Sequence, residues 1–63
     1  MWKVNYQISL RQNGKIVTKV ITDCVRVTIS NNIFTFFTEV PDDDIETFNV
    51  ENVFKLEVIE WKW

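Results

Sequence analysis

The chain has 63 residues, enough for one small domain spanning 1–63, and carries a net charge of −2 with 46% apolar and 25% charged residues. His is absent and Cys24 is the only cysteine, which removes the commonest general base, the commonest metal ligand and any internal disulfide. Val, Ile, Thr and aromatic residues make up about half of the chain, Ala is absent, and Gly and Pro occur once each. That balance favours strands and is too apolar for a disordered tail.

A domain this small buries only about 60% of the surface that its unfolded chain exposes. Unusually good aromatic packing or a second subunit must supply the rest.

In chain order, Trp2, Val4, Tyr6, Ile8 and Leu10 alternate with Lys3, Asn5, Gln7, Ser9 and Arg11, which predicts a half-buried first strand. Asn13-Gly14 then signals a hairpin. A three-residue loop, Gln12-Asn13-Gly14, sets Leu10 against Ile16, Tyr6 against Val20 and Trp2 against Cys24. A two-residue loop would set Ile8 against Lys19. The first register keeps apolar residues together and is the one expected. From Lys15 to Ser30 the chain stays strand-like, but its apolar parity changes. A bulge near Thr22-Asp23-Cys24 would absorb that change and let one long strand serve two neighbours. Cys24 itself reads as a small buried apolar side chain in a reducing compartment, with Arg26 the only nearby cation.

Asn31-Asn32 predicts the next turn, because Asn tolerates positive φ. A two-residue turn pairs Ile29 with Phe34 and Val27 with Phe36 on one face, and Arg26 with Phe37 on the other. Pro41-Asp42-Asp43-Asp44 ends that strand. Ile45 to Val50 predicts a short strand with Phe48 and Val50 inward, followed by a 3₁₀-like turn. Phe54, Leu56 and Val58 then alternate with Lys55 and Glu57, and parity switches at Val58-Ile59.

These elements predict an all-β fold, a single small antiparallel meander of five to six strands. An SH3-like or OB-like barrel is the expected architecture, with the last strand returning beside the first and Lys3 near Glu57 or Glu60. An open sheet closed by dimerisation is the alternative. The start of the chain turns polar at every second residue, unlike a signal peptide, and no apolar run is long enough to span a membrane, so a cytoplasmic location is expected. The residue choice, rich in Ile, Asn, Lys and Phe and poor in Gly, Ala, Arg and Pro, fits a low-GC genome or one of its phages.

Three constellations bear on function. Trp2, Trp61 and Trp63 bracket both ends of the chain and are either a barrel cap or a partner surface. Arg26 beside Phe37 forms the one outward aromatic pair, adequately explained as a cation–π contact. Asp42, Asp43, Asp44 and Glu46 form an acidic loop that lacks the glycine and spacing of a calcium loop; it reads as solvated, or as a mimic of a phosphate backbone. Residues 1–35 carry +4 and residues 36–63 carry −6, which suits a polar molecule docking on a basic partner unless interleaved strands neutralise it.

No catalytic constellation, metal site or cofactor motif is present in the sequence, so the chain is expected not to be an enzyme. The leading expectation is a small β interaction module that binds a protein partner, as an inhibitor or adaptor. A self-associating structural or assembly subunit comes second, and a single-stranded nucleic-acid binder third, since no basic stripe or RNP motif appears.

Overall fold

A computed structural model describes residues 2–39 and 45–63. Five strands form one antiparallel sheet: β1 (Lys3–Gln12), β2 (Lys15–Ser30), β3 (Ile33–Thr38), β4 (Ile45–Asn49) and β5 (Val53–Lys62), with a 3₁₀ turn, η1 (Val50–Asn52), joining the last two. The order is β4-β3-β2-β1-β5, so the final strand does return beside the first. Pro41 to Asp44 lie outside the described residues.

The β1–β2 hairpin corrects the predicted loop. Asn13 and Gly14 both have positive φ, 53° and 76°, and form a two-residue turn that sets Gln12 against Lys15, Leu10 against Val17 and Ile8 against Lys19. Val4, not Trp2, stands opposite Cys24. Asn-Gly fits the left-handed turn whose twist matches the flanking strands, and that local preference outweighs the matching of apolar neighbours. Lys19 is tolerated on the core side because its long stem carries the ammonium out over the Phe48 ring, 5.5 Å from the centroid. Ile16 and Val20, meanwhile, are left exposed on the other face.

The predicted bulge lies where parity required it. Between Ile21 and Cys24 the ladder slips by one residue, and Asp23 takes φ 56°. A second slip at Val25 realigns β2 with β3. These two irregularities bend β2, which pairs with β1 along its first half and with β3 along its second. Beyond them the predicted register holds: Val27 opposes Phe36, Ile29 opposes Phe34 and Arg26 opposes Phe37, across a turn in which Asn31 and Asn32 have φ 52° and 62°. In β5, the ladder slips at Ile59 as expected and also at Phe54. Phe54 therefore does not share a face with Leu56 in the predicted way. Val53 and Leu56 pack on the core, and Phe54 is exposed.

The sheet must curl, as chain lengths show. Five strands laid flat would put β4 and β5 about 19 Å apart. The four steps from Asn49 to Val53 reach at most about 14 Å even if fully extended. Curling brings the inner faces together around Ile8, Leu10, Ile21, Cys24 and Phe36, with Tyr6, Val27, Phe34, Phe48, Val53 and Leu56 packed against them. Phe36 is 0% exposed and touches three rings: Tyr6 at 5.5 Å, Phe48 at 5.8 Å and Phe34 at 6.0 Å. The Val50 N–H donates to the Asn32 carbonyl at 2.8 Å and ties η1 back to the β2–β3 turn. The expected all-β antiparallel fold is present; no ladder joins β4 to β5 among the described residues, so the sheet is not closed and the SH3-like or OB-like barrel remains an expectation. Among the described residues no helix is long and apolar enough to cross a membrane.

Candidate functional site

Strand pairing assembles the three tryptophans at one end of the sheet. Trp61 stands opposite Val4 in the β1–β5 ladder, Trp2 immediately precedes β1, and Trp63 follows β5. Trp2 meets Trp61 edge to face, with centroids 5.5 Å apart and planes at 88°, and meets Trp63 at 4.9 Å and 71°. Such edge-on pairs set the positive rim of one ring against the negative face of the next. The rings pack against each other and yet stay open: Trp2 is 53%, Trp61 62% and Trp63 79% exposed. Their open surface is on the order of 400 Å², the size of patch that marks interaction sites on small proteins. None of the three indole N–H groups donates to an acceptor among the described residues. The rings form a raised apolar platform with free donors at its rim, not a pocket.

A polar network holds the strand ends beneath them. In the ladder Lys3 lies directly opposite Lys62, an arrangement that repels. Each ammonium is drawn to its own acid: Lys3 to Glu39 at 2.7 Å and Lys62 to Asp23 at 2.8 Å. The predicted pairing of Lys3 with Glu57 or Glu60 is therefore corrected. Glu60 instead accepts from the Asn5 amide at 3.0 Å, while the Asn5 carbonyl oxygen accepts from the Asp23 backbone N–H at 2.9 Å. Asn5 thus pins the β2 bulge to β5. The hydrogen bond from Lys62 holds the Asp23 carboxyl below the usual carboxylate range, and the same bond raises Lys62.

The other candidates fall elsewhere. Arg26 and Phe37 form their own pair on β2 and β3, the guanidinium 4.3 Å from the ring centroid, with Ile45 exposed beside Phe37 on β4. Glu46 is exposed on β4, and Asp42, Asp43 and Asp44 lie outside the described residues. Cys24 is 2% exposed, its Sγ donates to the Arg26 carbonyl, and burial pushes the thiol up, as befits a packing residue and not a nucleophile. Among the described residues no three His, Cys, Asp or Glu side chains gather in a metal-binding arrangement.

Two cation–π pairs escaped the sequence reading: Arg11 over Phe54 at 5.2 Å and Lys19 over Phe48 at 5.5 Å. The first pair joins neighbouring strands beside the Leu10–Val53 step of the β1–β5 ladder, whereas the second joins β2 to β4, which are not ladder neighbours and meet through the curl of the sheet. No protein-family model, curated protein or solved structure matches this chain.

Proposed function

We propose that this protein is a non-enzymatic β interaction module that docks a protein partner through Trp2, Trp61 and Trp63. The observation that supports this most is the mutual packing of three rings that nevertheless keep most of their surface open. Tryptophan dominates binding hot spots because one rigid side chain removes a large apolar area from water at small entropic cost. Rings already braced against each other lose still less freedom on docking. A lone, buried Cys24 suits a reducing, cytoplasmic setting.

The test is capture of a partner from native lysate by the wild type, Trp61→Ala and Trp63→Ala, with far-UV circular dichroism run on each. Both variants should fold and lose capture. Variants that unfold, or that fold and capture as well as wild type, would assign the rings to the interior or to no function.

Self-association is the second reading, and a specific observation favours it. Among the described residues, twelve large apolar side chains are more than a third exposed against five buried core residues, and neither edge strand, β4 or β5, has a partner on its outer side. Sedimentation across the micromolar range decides it: a constant monomer mass rejects this reading.

A further inference from the structure

The end of β1 remote from the tryptophans carries a different surface. A cleft of about 370 Å³ opens between that end and β4, walled by Arg11, Gln12, Thr47, Phe48, Asn49 and Asn52. It follows the seam where the curled sheet fails to close. Along it β4 is an edge strand, so the backbone N–H and C=O groups pointing away from β3 have no ladder partner among the described residues.

Charge is distributed unevenly about this seam. Lys3, Lys55 and Lys62 pair with carboxylates, whereas Arg11, Lys15, Lys19 and Arg26 meet none among the described residues. Three of those four gather here. Arg11 forms part of the wall, Lys15 is the cross-strand partner of Gln12, and Lys19 reaches the face of Phe48. The ring of Phe54 holds the Arg11 guanidinium in place without satisfying its hydrogen-bond donors. Among the described residues no Asp or Glu lines the cleft, and Glu51 lines a neighbouring depression instead.

We propose that this seam takes an extended acidic peptide segment of a protein partner, added as a strand to the free edge of β4. Its carboxylates would meet Arg11, Lys15 and Lys19. Strand addition supplies main-chain hydrogen bonds, and side chains at alternate positions of an extended peptide project to the same side, where cations can read them. The carboxamides of Gln12, Asn49 and Asn52 can each donate to or accept from peptide groups.

Two comparisons within the molecule favour this occupant and this edge. A nucleic acid would need an open ring on which to stack a base; the ring that lines the cleft, Phe48, is already capped by Lys19, and Arg11 caps Phe54. The β5 edge is guarded: its ladder slips at Phe54 and Ile59, and Glu60 and Lys62 are engaged with Asn5 and Asp23.

The experiment is fluorescence anisotropy at low salt with a labelled peptide of alternating Glu and Val. Three competitors are run beside it: the same peptide N-methylated along one backbone edge, a Lys-Val counterpart, and a single-stranded DNA oligomer. The Glu-Val peptide should bind, the Lys-Val peptide should not, and N-methylation should weaken binding by about tenfold or more. Arg11→Gln and Lys19→Gln should each cost about tenfold while keeping the wild-type circular dichroism. Trp63→Ala should leave this binding unchanged, which separates its outcome from that of the tryptophan surface. No binding of the Glu-Val peptide to the wild type overturns the proposal. So does equal binding of the N-methylated peptide, or DNA that displaces the peptide at lower concentration than unlabelled Glu-Val.

Discussion

Two aromatic clusters occupy this small sheet, and they are built alike. Around Phe36, rings meet at 5.5–6.0 Å, two of them edge to face; around Trp2, rings meet at 4.9 and 5.5 Å, both edge to face. Their surroundings differ. Phe36 sits where β3 folds back over β1 and is fully enclosed, whereas the tryptophans sit at the strand ends and remain open. Ring-to-ring geometry therefore says little about whether a cluster stabilises the fold or awaits a partner. Enclosure by a second layer decides that, because the favourable term scales with apolar area removed from water.

The sharpest way to break this comparison is to truncate each cluster in turn. Phe36→Ala should cost about 3–5 kcal/mol through lost transfer energy and the cavity left behind. That is comparable to the whole stability of a domain this size, at roughly 0.05–0.15 kcal/mol per residue. A urea melt should show the variant largely unfolded at zero denaturant. Trp63→Ala, by contrast, should lower stability by no more than about 1 kcal/mol, the worth of one edge-to-face contact. If the two melts shift equally, the clusters are not different in kind.

The bulge beneath the tryptophans offers a finer test. Asp23 holds a φ of 56°, a conformation that favours glycine and is tolerated by Asp and Asn. Asp23→Ala should be about 1 kcal/mol less stable than Asp23→Gly in chemical denaturation, although both lose the Lys62 contact. If the two are equally stable, the strain argument fails.

The smallest effect should be on pH. The hydrogen bond from Lys62 lowers Asp23 below its ordinary value of 3.8, so its contribution is present above that value and fades as pH falls through the depressed folded one. Lys62 is raised above 10.5, so its share is present below that value and fades as pH rises through the folded one. Both groups are exposed and screened, so the gain is small. The gap in denaturation midpoint between wild type and Asp23→Asn should be measurable at pH 7 and shrink progressively as pH falls below 3.8. A gap that persists in acid would assign it to something other than this ion pair.

Much of the fold was legible because strand alternation is local. The Asn31-Asn32 turn with its register, the break in parity at Asp23 and Ile59, and the 3₁₀ link after Asn49 all follow from residue order. The first hairpin departs from the expected register for a physical reason. Matching Leu10 to Ile16 treats strands as though apolar neighbours alone set register, whereas the Asn13-Gly14 turn set it and Lys19 escaped the core along its own stem. The meeting of the tryptophans followed from pairing the first strand with the last. The contact of Lys19 with Phe48 did not, since β2 and β4 are not ladder neighbours and only the curl of the sheet brings them together.

By itself, then, residue order determined an antiparallel β protein without histidine or disulfide, its turns, and the strand ends that carry its tryptophans. Tertiary structure alone decided which ring cluster is enclosed, that Lys3 pairs with Glu39, and that β4 and β5 stay unjoined. Alternation and turn chemistry act over a few residues and can be read along the chain. Enclosure, ion pairing across the sheet and closure depend on how far β2 bends at its two bulges, an angle that no local pattern specifies.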